Sequence, residues 1–346
     1  MYYSLFILSF LTTFILISFL SKYSKQLKFI DYPNKRKNHK YPISSIGGLC
    51  ILIIFSTITY IMFKYQYVDS YPLEFIITKK NLLISTLLIF LLGISDDIFK
   101  INSLFKFLIQ ILALCTLIYD LKIDGIFFYN YYLDIFIYLI LSLIILNTFN
   151  LLDGLDNLTA LTGILILFFF NVLFFITNIN YSIILFSIVL ISSLTAFIMY
   201  NIFISRMFLG DTGSLFIGWI FVILTTTFVF EQKIENAIYF PISIFSIPFF
   251  DVILVAIKRF TNEKKHTKKV FAIFNPDHIH LHHLFIKHKY SKIKIILFYT
   301  INISFFSILT LLIINKINLI FYLLIMELLF VFYLRLILLK KNNILN

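Results

Sequence analysis

Charge is what this sequence has least of. Only 13% of its 346 residues are Asp, Glu, Lys or Arg, while 60% are hydrophobic; a soluble domain carries roughly 25% charged residues. That balance excludes a water-soluble globular protein. The two cysteines, Cys50 and Cys115, lie far apart in apolar segments, so they support neither a disulfide framework nor a metal site and read as small core residues. A long soluble segment is also missing. Apolar runs of about 20 residues, the length that crosses a bilayer, recur along the chain with short polar stretches between them. No basic residue precedes the first run, where a cleaved signal peptide would carry its charge.

What is present reads as an all-α polytopic integral membrane protein, one transmembrane domain over residues 1–346 with about eleven spans. These fall at roughly 4–20, 47–64, 81–95, 104–120, 133–149, 159–176, 181–201, 213–230, 237–257, 295–314 and 318–336. The net charge of +12 becomes intelligible against those spans. Lys22, Lys25, Lys28, Lys35, Arg36, Lys37 and Lys40 follow the first one, which places the N-terminus outside and, with an odd span count, the C-terminus in the cytoplasm. Of the 29 Lys and Arg, only Lys64, Lys79, Lys80, Lys122, Lys233 and Lys316 then face outward. The excess charge is a topology signal that suits anionic membrane lipids and an anionic substrate; nucleic acid gains no support.

The chemistry-bearing residues collect in the loops on the cytoplasmic side, at about 21–46, 96–103, 150–158, 202–214 and 258–294. Asp96 and Asp97 are adjacent carboxylates that repel unless a cation or a shared proton compensates them, as a magnesium site or a general base would; two solvated acids beside Lys100 are the plainer alternative. Asn147, Asn150 and Asp153 share a helix face that ends an apolar span, with Gly154 and Asp156 beyond. An ordinary polar helix end would look similar. In Phe208-Leu209-Gly210-Asp211-Thr212-Gly213-Ser214, two glycines let a backbone approach a ligand closely before a helix N-terminus, which fits phosphate. It lacks the Gly-Lys-Ser/Thr ending and the preceding strand of a Walker A loop. The segment Asn275 to His283, with His278, His280, His282 and His283, suits anion contact better than zinc, because no complete tetrahedral ligand set is evident.

Scattered carboxylates on one face match magnesium, which takes one or two of them and fills its shell with water and phosphate oxygens. Manganese would bind similarly. Phosphoryl transfer asks mainly for positioning and charge neutralisation. A substrate with one greasy and one charged end would suit an enzyme that is almost wholly transmembrane.

These four motifs, in this order, resemble the polyprenyl-phosphate N-acetylhexosamine-1-phosphate transferase family, glycosyltransferase family 4, over residues from about 31 to 290. The first loop, Asp31-Tyr32-Pro33-Asn34-Lys35-Arg36-Lys37-Asn38-His39 with Pro42 and Gly47-Gly48, is similar to the GlcNAc-1-phosphate branch rather than the muramoyl-pentapeptide branch. The Lys-rich residues 261–275 depart from the short glycine-containing link expected before the histidines. The resemblance implies transfer of N-acetylhexosamine-1-phosphate from a UDP-sugar to polyprenyl (undecaprenyl) phosphate at the cytoplasmic face of a bacterial inner membrane. It implies Asp96, Asp97 and Asp211 as catalytic residues, Asp97 as the candidate base, and Asp211 with Asp96 as magnesium ligands. Asn150, Asp153 and Asp156 would lie around the donor, with Phe208 stacking on uracil. Arg36, Lys37, His39, Lys100, His280, His282 and His283 would contact phosphates or organise the pocket. Asp251 and Arg259 also resemble family positions. A homodimer is compatible with this reading. The alternatives are another UDP-N-acetylhexosamine, UDP-MurNAc-pentapeptide, or a lipid or sugar transporter, whose sites usually lie near the bilayer midplane. Only Glu327 lies that deep, without a motif around it.

Overall fold

A computed structural model describes residues 2–33, 41–65, 80–119, 130–155, 157–179, 182–232, 237–261 and 279–344. Without water to satisfy backbone polar groups, spanning segments close their own hydrogen bonds, and helices result. Those long and apolar enough to cross a membrane number ten among the described residues. They are α1 (Tyr2–Leu20), α2 (Gly47–Lys64), α3 (Lys80–Phe99), α5 (Tyr131–Leu152), α6 (Leu158–Ile176), α7 (Ser182–Phe203), α8 (Gly210–Gln232), α9 (Tyr239–Thr261), α11 (Lys292–Leu312) and α12 (Ile317–Ile344). Where an eleventh span was expected at 104–120, α4 (Ser103–Tyr119) is apolar but shorter than these ten.

Two helices organise the rest. Within its spanning window α8 is 78% buried, against 17% for α1 at the rim. It packs on α2, α3 and α5, while α9 packs on α5, α6, α11 and α12, so α5 joins the two groups. At their junction Phe149 of α5 stacks on Phe221 of α8 at 4.7 Å, and Phe170 and Phe245 close the cluster from α6 and α9. Gly218 lets α8 press against α5: a Cβ there would lie 2.4 Å from the Leu146 carbonyl oxygen. On the rim, Leu11, Ile15 and Phe19 of α1 are more than half exposed, as side chains facing lipid are.

The ends of the helices bring the polar loops together. Lys100, at a φ of 52°, reverses the chain after α3, and the Asn102 side chain accepts the Leu104 N–H at 3.0 Å to start α4. An all-helical reading did not anticipate a small antiparallel hairpin, β1 (Ile30–Asp31) with β2 (Ile43–Ser44). Ser44 also bridges Met207, and its carbonyl accepts the Phe208 N–H at 2.9 Å. Two-residue strands carry no periodic signal, which is why the sequence pattern missed them. The loop expected over 258–294 contains a short helix, α10 (Leu281–Lys287). Helix α9 breaks at Ser246, with a φ of 48°, two residues before Pro248, whose ring and missing N–H disrupt the preceding turn.

Candidate active site

The site is built where the N-terminus of α8 meets α2 and α3. Glycine makes the approach possible. The Gly48 N–H donates to the Leu209 carbonyl at 2.9 Å, and a Cβ on Gly48 would fall 2.2 Å from the Gly213 Cα. Gly210 has a φ of +72°, and a Cβ there would sit 2.7 Å from the Asp97 carboxylate. That carboxylate grips the start of α8. One oxygen accepts the Asp211 N–H at 3.0 Å; the other accepts the Thr212 N–H at 2.8 Å and the Thr212 hydroxyl at 2.5 Å. A negative charge at a helix N-terminus satisfies donors that have no partner within the helix. Asp97, the expected base, thus also holds the start of α8, Asp211 included, in place.

Its neighbour Asp96 points to the other side. The Asp96 carboxylate accepts the Ile101 N–H at 2.7 Å and forms an ion pair with Lys106 of α4. Lys106 also donates to Asp211 at 3.0 Å, and the Asp96 and Asp211 carboxyls lie within hydrogen-bonding reach of each other. Two acids from different helices thus share one ammonium. The sequence reading passed over Lys106, although a cation one turn into an apolar helix needs an acidic partner and carries a signal for that reason. Lys100, exposed at the α3 turn, adds positive potential at Asp211.

The polar strip of α5 faces these elements one residue at a time. Asn147 pairs amide to amide with Gln110 of α4, at 2.9 and 3.2 Å. Asn150 accepts the Ser214 hydroxyl of α8 at 3.1 Å. Asp153, just past the end of α5, receives the Gly210 N–H. Burial, reinforced by the negative charges of Asp211 and Asp97, holds the Asp153 carboxyl well above the usual carboxylate range, against the pull of that N–H. Phe208 lies half-buried beside α8 with the Arg206 guanidinium 5.6 Å from its ring centroid. Asn201 fixes this strand-like approach by pairing with the Met207 backbone at 2.8 and 3.0 Å and with Asn157 at 2.7 Å.

The histidine segment closes the same end. His280 shares its Nδ1 hydrogen with Asp251 of α9 at 3.0 Å, and the same carboxylate accepts the Leu281 N–H at 3.1 Å. The rings of His282 and His283 lie 4.0 Å apart. Both approach Gly154, where a Cβ would be 3.2 Å from His282 Nε2 and 3.3 Å from His283 Cε1. The expected residues Asp96, Asp97, Lys100, Asn150, Asp153, Phe208, Asp211, His280, His282 and His283 thus all occur at one end of the bundle. Arg36, Lys37, His39 and Asp156 lie outside the described residues; β1 and β2 flank the first three, and Ser44 of β2 attaches to Met207 and Phe208.

Among the described residues, no three His, Cys, Asp or Glu side chains group to cage a metal. A zinc site of four such ligands is therefore not formed among the described residues. Two hard carboxylates on opposed helices suit an ion that completes its shell with water and substrate oxygens.

Lipid-length helices that gather opposed acids, a bridging lysine and a histidine segment at one end define a polytopic membrane protein with an anion-handling site. Residues 80–229 match glycosyl transferase family 4, a stretch that contains Asp96, Asp97, Lys106, Asn150, Asp153 and Asp211. A probable undecaprenyl-phosphate N-acetylglucosaminyl 1-phosphate transferase of Bacillus subtilis is 29% identical over 80% of this chain and 75% of its own length. The undecaprenyl-phosphate alpha-N-acetylglucosaminyl 1-phosphate transferases of Thermotoga maritima and Escherichia coli K12 are each 26% identical, over 79% and 80% of this chain and 78% and 74% of their own lengths. Over these stretches the chain is similar to glycosyl transferase family 4 and to these transferases.

Proposed function

We propose that this protein transfers N-acetylglucosamine-1-phosphate from UDP-N-acetylglucosamine to a polyprenyl phosphate, undecaprenyl phosphate above all. One observation carries the reading: Asp96 and Asp211, from the ends of two helices, face each other across Lys106, beside the glycine-bounded N-terminus of α8. The names of the relatives point to the same acceptor and sugar phosphate. An oxygen of the lipid phosphate attacks the sugar-proximal phosphorus of the donor. A new phosphoanhydride forms as the old one breaks, and UMP leaves with the electron pair. Because one anhydride replaces another, the reaction is reversible.

The residues divide the work by position. Asp211 and Asp96 are the carboxylates that would hold magnesium, and manganese in its place; when bound, the ion neutralises charge on the diphosphate oxygens. Lys106 balances the two acids and supplies a second positive charge to the reacting phosphates. Asp97 keeps Asp211 aimed by fastening the first turn of α8. Phe208, with Arg206 over its ring, offers a flat surface to uracil, while Asn150 and Asp153 border the sugar nucleotide. His280, His282 and His283 offer ring N–H groups to phosphate oxygens. The lipid phosphate is already ionised near neutrality, so its attack needs placement more than proton removal. The excess of Lys and Arg on loops at this end supports a cytoplasmic site.

The test is UMP release by purified protein in lipid, dependent on undecaprenyl phosphate, UDP-N-acetylglucosamine and a divalent cation together. Asp211→Asn is expected to abolish it. Full activity in both Asp97→Asn and Asp211→Asn, or release without lipid phosphate, would overturn the assignment. A panel of UDP-sugars with product mass spectrometry checks the donor.

A further inference from the structure

Helix α12 carries a guanidinium among apolar neighbours. Tyr333, Leu336 and Ile337 are 66%, 40% and 45% exposed on its lipid side, whereas Arg335 is 4% exposed. A buried charge in a membrane bundle is costly and is kept where it meets a partner. Arg335 donates to Asp251 of α9 at 2.5 Å. The Asp251 carboxylate is spent on three donors: Arg335 on one oxygen, and the His280 ring and Leu281 N–H on the other. It is the joint between the last helix and the start of α10.

A second contact holds the other end of α10 to the same helix. His288, just after Lys287, donates from Nε2 to the Leu338 carbonyl at 2.7 Å. Leu338 lies three residues beyond Arg335. The short α10 is therefore held to one turn of α12 at both ends, through Asp251 at its start and directly at its finish. Movement of His280 would not stay local, since its ring lies nearly parallel to that of His282 at 6.1 Å, His282 touches His283, and both meet the Gly154 loop next to Asp153.

We propose that Arg335 is a positioning residue for the active site: through Asp251 it fixes the His280 ring, and with it the histidine segment against the Asp153 loop. Asp251 holds His280 at Nδ1, so Nε2 is the ring atom left to turn toward a ligand; it is buried without a hydrogen-bond partner among the described residues. Removing Arg335 leaves an uncompensated carboxylate that draws His280 out of place. This inference rests on the transfer reaction proposed above. It assigns a role outside residues 80–229, where the family match lies.

The experiment compares Arg335→Gln, His280→Asn and the double variant of the full chain in lipid, with UDP-N-acetylglucosamine and undecaprenyl phosphate. Arg335→Gln is expected to lower kcat/KM about tenfold or more. In the His280→Asn background the same change is expected to add less than about twofold, because residues acting through one another are not additive. Equal fold-losses in both backgrounds, or an unaffected single variant, would overturn the proposal. Hydrogen exchange gives a readout independent of activity: Arg335→Gln should speed exchange across residues 279–290 more than across α8, and a uniform or unchanged pattern would also overturn it. Should Arg335→Gln fail to fold, Asp251→Asn/Arg335→Gln removes both buried charges and carries the same expectations. Wild-type protein inactive with these substrates, but with the expected exchange pattern, would sink the reaction and leave the positioning role standing.

Discussion

Two residues show how charge is handled at this site. Lys106 is the neutraliser of Asp96 and Asp211, and it was legible only as an oddity, a lysine in an apolar helix whose partners lie on other helices. Lys106→Met is expected to reduce turnover by about a hundredfold or more, with a rise in the divalent-cation concentration needed for half-maximal rate; steady-state UMP release across a magnesium series checks both. Asp153 poses the opposite problem, an acid whose ionisation is opposed by burial and by Asp211 and Asp97. Its folded-state pKa is raised, so the folded protein binds the proton more tightly than the unfolded chain does. Stability is therefore lost as pH climbs from the ordinary carboxylate value, about 3.9, toward the raised one, and the penalty persists above it. In metal-free buffer Asp153→Asn should melt above the wild type at pH 8, with the gap closing near pH 4. A lower melting temperature for the variant at pH 8 would contradict that account.

At the scale of elements, the centre of the site is a helix start held by foreign groups. The first turn of α8 is capped by Asp97 of α3 and crossed by Gly48 of α2. Gly210→Ala adds a side chain at a φ of +72° and pushes a methyl group into the Asp97 carboxylate, a strain of about 1–3 kcal/mol. The expected result is activity down by roughly a hundredfold through misplacement of Asp211, with the protein still folded by thermal melting; wild-type turnover would show that the turn tolerates the change. The sequence made the motifs visible because acids and amides at span ends have no apolar packing reason to recur. It did not show that Asp97, expected as a base, caps α8, since capping between helices depends on their tertiary crossing. The Asn147, Asn150 and Asp153 strip was readable as one face, yet its partners Gln110, Ser214 and Gly210 come from two other helices. Hydrophobic length placed the helices within a few residues; α12, which runs to Ile344, and the Met207 bridge escaped it for want of any periodic mark.

For the whole molecule, the connectivity sorts every turn to one of two ends. The site end holds the α3–α4 turn, the α5–α6 loop, the approach to α8 and the α10 segment, whereas the α11–α12 turn with Lys316 lies at the other. The bundle alone has no up or down; the proposed direction rests on the lysine and arginine distribution, because positive loops are retained on the cytoplasmic side. That argument is open to a direct measurement on exposed positions at opposite ends. With Cys50 and Cys115 replaced, Lys287→Cys should react with a membrane-impermeant maleimide only after cells are opened, while Lys316→Cys should react in intact cells. The reverse pattern would put the acids, Lys106 and the histidines outside. A donor nucleotide made in the cytoplasm could not then reach them, so the proposed reaction and the orientation stand or fall on the same pair of labels.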